Sequence, residues 1–279
     1  MLVNLKYVLD MAERGNFCVP AFNVYNMESV IGVLHAAEEM RAPVIMQIYP
    51  RLMKEETGYF LSPVVLAAAQ RATVPVCFHL DHGPSELETT RSLRYGATGI
   101  MLDGSTLPFE ENIALTKRVV ETCNYLDVQV EGELGHVGTT NDTDMDEFTT
   151  AADAKYFVEQ TGVACLAIAV GTAHGRYKKP PKLDIDRIAE IREATNHTAL
   201  VLHGGSGVPD EEIKKAVKVG IRKMNFATDV CYSFLDCCLE ELQKPDRPVA
   251  IDSFMKKPIH AIKEFCISRI KLVSADGKA

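Results

Sequence analysis

His79-Leu80-Asp81-His82-Gly83 closes a run of apolar residues, Val74-Pro75-Val76-Cys77-Phe78. A short apolar run has the composition of a buried strand, and a carboxylate, an imidazole and a glycine at its end make that strand deliver polar groups to its own tip. The ending recurs twice. Ala167-Ile168-Ala169-Val170 leads into Gly171-Thr172-Ala173-His174-Gly175, and Ala199-Leu200-Val201-Leu202 leads into His203-Gly204-Gly205-Ser206-Gly207. Three strand ends that each carry a histidine followed by glycine predict one shared site.

On either side the chain alternates strand, turn and amphipathic helix. Residues 19–22 form a strand ending at Asn23, and residues 27–41 a helix whose Val30, Leu34, Ala37 and Met40 share one face. Residues 44–48 make a second strand, followed by a helix over 63–71. The opening stretch is the third, with a helix from Pro84 to about Tyr95. Strands over 99–102, 128–134 and 223–226 complete the set, with helices over 109–124, 152–161, 185–194, 210–219 and from Thr228. A polar loop, 138–150, delays the helix after the fifth strand, and a last amphipathic helix over 251–272 lies outside the repeat. Eight β-then-α units predict a (β/α)8 TIM barrel with an extra C-terminal helix in preference to an open doubly wound sheet. No Gly-x-Gly-x-x-Gly follows the first strand, and no Pro/Ser-rich linker divides the chain, so residues 1–279 read as one domain.

The composition narrows the function. A chain of 279 residues, 47% hydrophobic, is ample for a large core. A formal net charge of −8 argues against nucleic acid or an anionic membrane as the main partner. An anionic small molecule is still compatible with it, because a metal and backbone N–H groups supply positive charge locally. Eight cysteines without a Cys-x-x-Cys pair, no signal-peptide pattern and no apolar run near ~20 residues predict a cytoplasmic protein with reduced thiols.

Function in such barrels gathers at the C-terminal ends of the strands. Asn23, Asp81, His82, Glu131, Glu133, His174, His203 and Asn225 all fall there. His82, His174 and His203 are the predicted metal ligands, since three imidazoles leave Zn²⁺ an open position for substrate. His79 suits a core or supporting role, and His136 is unassigned. Asp81 is either an acceptor that holds a histidine tautomer or a general acid/base at the reacting oxygen. Glu131 and Glu133 share one strand face and point inward, which is costly unless each is paired or bound to metal. Glu133, nearer the rim, is the alternative metal position. Gly204, Gly205 and Ser206, and Asn225, Ala227 and Thr228, place backbone N–H groups near helix starts after strands seven and eight, where barrels seat phosphate.

These residues resemble the class II, zinc-dependent ketose-bisphosphate aldolases, which include fructose- and tagatose-1,6-bisphosphate aldolases. The likeness rests on Ala21-Phe22-Asn23, the stretch at 79–83, Glu131 to Gly135, Gly171 to Gly175, Leu202 to Gly207 and Lys223 to Thr228. It implies reversible aldol cleavage of a ketose (bis)phosphate to dihydroxyacetone phosphate and an aldehyde such as glyceraldehyde 3-phosphate. It further implies that His82, His174 and His203 hold zinc and that Asp81 moves the proton. By the same likeness Gly175, Gly204 to Ser206 and Asn225 to Thr228 would bind the phosphorylated half, and Asn23 would also bind substrate. The resemblance also implies a monovalent cation (Na⁺ or K⁺) near the phosphate, a loop carboxylate that protonates the enediolate, and a homodimer or homotetramer.

Three stretches depart from the family pattern. The loop 138–150 offers Asp142, Asp144, Asp146 and Glu147 as candidates for the loop acid. Tyr49-Pro50-Arg51 stands where relatives often have a serine-containing turn, and the chain ends in Gly277-Lys278-Ala279, where many have arginine. Other readings are an aldolase of the same family using a different aldehyde partner, a Schiff-base aldolase using Lys223, which begins its predicted strand and so suits the role poorly, a zinc hydrolase, and a silent sugar-phosphate-binding protein.

Overall fold

The computed structural model describes residues 1–135, 148–173, 175 and 180–279. In chain order the elements are β1 (Leu2–Val3), α1 (Leu5–Gly15), β2 (Val19–Asn23), α2 (Met27–Met40), β3 (Val44–Ile48), α3 (Pro50–Lys54) and α4 (Glu56–Arg71). Then come β4 (Val76–Gly83), α5 (Glu86–Arg94), β5 (Gly99–Leu102), α6 (Phe109–Asn124), β6 (Gln129–Leu134), α7 (Ala151–Thr161) and β7 (Cys165–Ile168). The last are α8 (Ile185–Ala194), β8 (Ala199–Leu202), α9 (Asp210–Val219), β9 (Ile221–Phe226), α10 (Thr228–Leu242) and α11 (Ile251–Leu272).

Strands β2 to β9 pair in parallel in the order β4-β3-β2-β9-β8-β7-β6-β5, and β4 also pairs with β5, which closes the sheet into a barrel. Helices fill the crossovers, as parallel strands buried on both faces require. This is the expected (β/α)8 TIM barrel with an added C-terminal helix. The C-terminal ends of the strands gather Asn23, Asp81, His82, Glu133, His203 and Asn225 at one mouth. The opposite end carries α1, whose Leu5, Val8, Leu9 and Ala12 are buried. Asn4 caps α1 by accepting from the Tyr7 N–H, and the Leu5 N–H donates to the Thr98 carbonyl, just before β5. Chemistry is thereby confined to one side.

Several expected boundaries shift for identifiable reasons. The strand placed at 167–170 runs Cys165–Ile168, because Ala169 leaves the ladder: its N–H donates to Thr149 Oγ1 and its carbonyl accepts from the Thr149 N–H. The helix expected over 63–71 begins at Glu56, with Pro63 inside it. Proline removes one N–H, and the carbonyl this leaves belongs to the exposed Tyr59, where water can take it. Lys223 lies within β9, which starts at Ile221. α1 and the two-residue β1 are elements the periodicity did not reveal. α11 packs along α2 so closely that a Cβ on Gly32 would stand 2.7 Å from Ile262 Cγ2. No helix of the described residues is long and apolar enough to cross a membrane.

Candidate active site and metal cluster

The site starts from an irregularity in β4. Neighbouring residues of a regular strand point to opposite faces, yet Asp81 and His82 both line one cavity. The cause is a register shift against β5 between Leu80 and Gly83, with His82 in the left-handed region at φ 47°. A non-glycine residue in that region is uncommon, and such strain gathers at functional positions. The bulge turns a carboxylate and an imidazole, adjacent in the chain, toward the same mouth.

His82 Nδ1 lies 2.7 Å from Asp103 Oδ2, and Asp103 Oδ1 accepts from Ser105 Oγ at 2.6 Å. A carboxylate only accepts, so Nδ1 carries the proton and Nε2 is the nitrogen offered to a metal. His203 is fully buried, with Nε2 2.8 Å from Glu131 Oε1, so its Nδ1 lone pair faces Glu133 Oε2 at 3.2 Å. A lone pair and a carboxylate oxygen do not sit at that distance without a cation or a proton between them. His82, Glu133 and His203 each bring one donor atom within 4.8 Å of the others. Burial lowers the His82 imidazole, but the Asp81, Asp103 and Glu133 carboxylates outweigh it and push it up to about 10. His203 is raised in the same way, burial and the charge of His82 being overcome by Glu131 and Glu133. The cluster therefore favours positive charge, and two imidazoles oriented by carboxylates beside a third carboxylate suit zinc.

Asp81 is held from both sides. Asn23 Nδ2 donates to Oδ2 at 2.8 Å, and Asn225 Nδ2 donates to Oδ1 at 3.0 Å. Each amide is itself oriented: Gln47 Nε2 donates to Asn23 Oδ1 at 2.7 Å, and Lys223 Nζ donates to Asn225 Oδ1 at 2.6 Å. An amine that can only donate forces the asparagine oxygen toward itself and the nitrogen toward Asp81. Burial raises the Asp81 carboxyl, yet His82, His203, Lys223 and the Asn23 hydrogen bond together hold it below its ordinary value. Its Oδ1 stands 3.9 Å from His82 Nε2, so an ionised base adjoins the cluster.

Beneath the mouth Glu131 is wholly buried and compensated. Burial raises its carboxyl, but Lys223, with Nζ 2.9 Å from Oε2, and the His203 and His79 imidazoles bring it well below the usual carboxylate range. Lys223 thus joins the Glu131–His203 side of the site to the Asn225–Asp81 side. It is no free amine for a Schiff base.

Asn23, Asp81, His82, Gly175, Gly204, Gly205, Ser206, Asn225, Ala227 and Thr228 line one cavity of about 560 Å³, while Glu133 and His203 are wholly buried and do not line it. Gly204 has φ +64°, and a Cβ there would stand 2.5 Å from the Ala173 carbonyl oxygen, so only glycine lets the turn after β8 meet the loop after β7. Ser206 Oγ accepts from the Asp229 N–H at 3.3 Å and ties the turns after β8 and β9 together. His174, His136, Asp142, Asp144, Asp146 and Glu147 lie outside the described residues. Glu133, predicted as an alternative metal position, is the third member of the cluster among the described residues. Asp103, Gln47 and the supporting role of Lys223 were not predicted. Gln47 had a signal, as a lone amide in the apolar run Val44-Ile45-Met46-Gln47-Ile48; Asp103 had a weaker one, ending a strand beside Gly104.

A profile described as fructose-bisphosphate aldolase class-II matches residues 3–278. The chain belongs to the class II fructose-bisphosphate aldolase family. Among solved structures it resembles the YdjI aldolase from Escherichia coli K12, with 35% identity, 100% of each chain covered and a TM-score of 0.90. It also shares its fold with the fructose-bisphosphate aldolase of Campylobacter jejuni, at 23% identity over 100% of this chain and 97% of that one, with a TM-score of 0.83. As a class II aldolase the protein is a lyase that carries out aldol cleavage.

Proposed function

We propose that this class II aldolase reversibly cleaves a ketose (bis)phosphate, such as fructose or tagatose 1,6-bisphosphate, to dihydroxyacetone phosphate and an aldehyde such as glyceraldehyde 3-phosphate. The observation that carries the reading is an ionised Asp81, clamped by Asn23 and Asn225 in the cavity that also holds the glycine turns, and beside it the cluster of His82 with the buried Glu133 and His203. Zinc bound by His82 and His203, with His174 or Glu133, supplies Lewis-acid stabilisation of negative charge on the bound substrate.

The substrate phosphate takes backbone N–H groups at Gly175, Gly204 to Ser206 and Ala227 to Thr228, where the start of α10 adds favourable dipole. Asp81 removes the proton from the C4 hydroxyl. The C3–C4 bond then breaks, the C4 carbon leaves as an aldehyde, and the bonding pair stays on C3 as the enediolate of dihydroxyacetone phosphate. Asn225 Nδ2 has a second N–H to offer the developing charge while the first holds Asp81. Protonation at C3 falls to a carboxylate of the loop 138–150. Thiols free of disulfides suit the reducing cytoplasm. Assembly as a homodimer or homotetramer is supported by the exposed Leu235, Leu239 and Leu242 on α10.

The decisive experiment incubates zinc-loaded protein with dihydroxyacetone phosphate in deuterated water and separately assays cleavage of both bisphosphates. Exchange of one C3 proton is the expected result. Zinc-loaded protein that exchanges nothing, while hydrolysing an ester or amide, would place it among the zinc hydrolases instead.

A further inference from the structure

With the substrate phosphate at the turns after β8 and β9 and its C4 hydroxyl at Asp81 on β4, the cavity continues past C4 along the residues that follow β3, the strand paired with β4, and none that follow β5 line it among the described residues. The cavity wall there consists of Tyr25, Tyr49, Pro50 and Arg51. Arg51 is the one Arg or Lys side chain lining the cavity among the described residues. Arg91, Arg118, Arg187 and Arg192 each sit on a carboxylate at 2.6 to 3.0 Å. Arg51 takes part in no ion pair among the described residues. Its guanidinium instead stands 5.2 Å over the Tyr49 ring and donates to the Tyr49 hydroxyl.

That arginine is braced. The Tyr49 ring packs edge-on against Tyr25 with centroids 5.9 Å apart, and the Tyr25 hydroxyl donates to the Ala227 carbonyl at 3.4 Å. The chain of contacts ends in the very turn assigned to the substrate phosphate, so the guanidinium is set at a fixed place along the substrate. A stacked guanidinium keeps most of its N–H groups for a ligand, and its planar fork matches the oxygens of a carboxylate or phosphate. We propose that Arg51 determines the substrate class, by receiving an anionic group, carboxylate or phosphate, at the end of the aldehyde half remote from the breaking bond. The assignment rests on the aldolase reading above.

The test condenses dihydroxyacetone phosphate, on the zinc-loaded enzyme, with three aldehydes of similar length: neutral glyceraldehyde, glyceraldehyde 3-phosphate and an aldehyde bearing a terminal carboxylate. The expected kcat/KM for at least one anionic aldehyde exceeds that for the neutral one by roughly ten- to hundredfold, the worth of a hydrogen bond to a charged group. Which anionic aldehyde leads distinguishes the two chemistries. Arg51→Gln collapses this ratio through a raised KM for the anionic aldehyde, and Arg51→Lys restores part of it. Arg51 is exposed, so neither change threatens folding. A wild-type enzyme indifferent to the anionic tail, or a preference that survives Arg51→Gln, overturns the proposal. Proton exchange of dihydroxyacetone phosphate alone needs no aldehyde, so its failure would strike the aldolase reading rather than the role of Arg51.

Discussion

Replacing Lys223 by methionine isolates the cation that joins the two halves of the site. Lys223 and Glu131 are both wholly buried, with 2.9 Å between Nζ and Oε2, and Lys223 Nζ also holds Asn225 Oδ1 at 2.6 Å. Methionine fills similar volume but leaves the Glu131 carboxylate with the His203 contact, a weak Cys165 thiol donor at 3.9 Å and a His79 nitrogen 3.5 Å away. Breaking one partner of a buried pair in this way costs about 3–5 kcal/mol. The same change frees the Asn225 amide to turn, so Asp81 loses one of its two fixed donors and kcat falls about 10- to 100-fold, the scale of a small misplacement of a reacting group. Denaturant unfolding followed by circular dichroism measures the first effect, and bisphosphate cleavage the second. The Lys223→Met/Glu131→Gln double variant is the critical comparison. Removing the orphaned charge makes the double variant more stable than Lys223→Met alone, although it carries one more substitution. A loss under about 1 kcal/mol for Lys223→Met, or a double variant destabilised by the sum of its parts, would refute the charge-compensation argument.

Asp81→Ala retains zinc and loses about 10²- to 10⁴-fold in carbon–carbon cleavage, the usual range for a general acid–base group; metal analysis beside a cleavage assay checks both, and near-normal turnover would remove the role. His82→Ala and His203→Ala lose metal and activity together, and EDTA reproduces the loss in the unaltered protein with recovery on adding Zn²⁺. Gly204→Ala, at φ +64° with the Ala173 carbonyl 2.5 Å from the new Cβ, lowers stability by about 1–3 kcal/mol and raises KM for the phosphorylated half, read from unfolding curves and steady-state kinetics. His79 gives a pH prediction. Burial first, and then Lys223, lower its imidazole from 6.5 to about 3, against the opposing pull of Glu131 and Asp81, and neither ring nitrogen has a hydrogen-bond partner among the described residues. A depressed histidine contributes stability that is complete above the unfolded value of 6.5 and lost as pH falls toward 3, because the unfolded chain takes the proton first. His79→Leu therefore gains on the unaltered protein by about 1.4 kcal/mol per pH unit as pH falls below about 6.5, measured in EDTA so that metal loss is shared. Parallel stability profiles for the two proteins between about pH 6.5 and 4.5 would contradict it.

The barrel was legible because each strand is a short apolar run followed at once by turn residues and a helical period, a signal that needs no tertiary context. The last helix, Ile251–Leu272, follows from its own periodicity. What escaped depends on partners far away in sequence. α1 is amphipathic, but that it closes one end of a barrel follows only once β4, β6 and β9 stand around it. Pro63 argued for a helix start, and only the packing of Leu61 and Val65 keeps it inside a longer one. The strand ends singled out His82, His203 and Asp81, yet strict alternation places Asp81 and His82 on opposite faces. The bulge that reunites them is a property of the β4–β5 pairing. Glu131 and Glu133 illustrate the same limit. Two inward carboxylates require compensation, which the sequence makes plain, but the fold gives each a different partner. Glu131 takes Lys223 and orients His203 from behind, while Glu133 faces His203 Nδ1 and His82. A single intervening glycine, Gly132, separates an acid that balances a buried amine from one that can meet a metal, and that difference exists only after eight strands have closed.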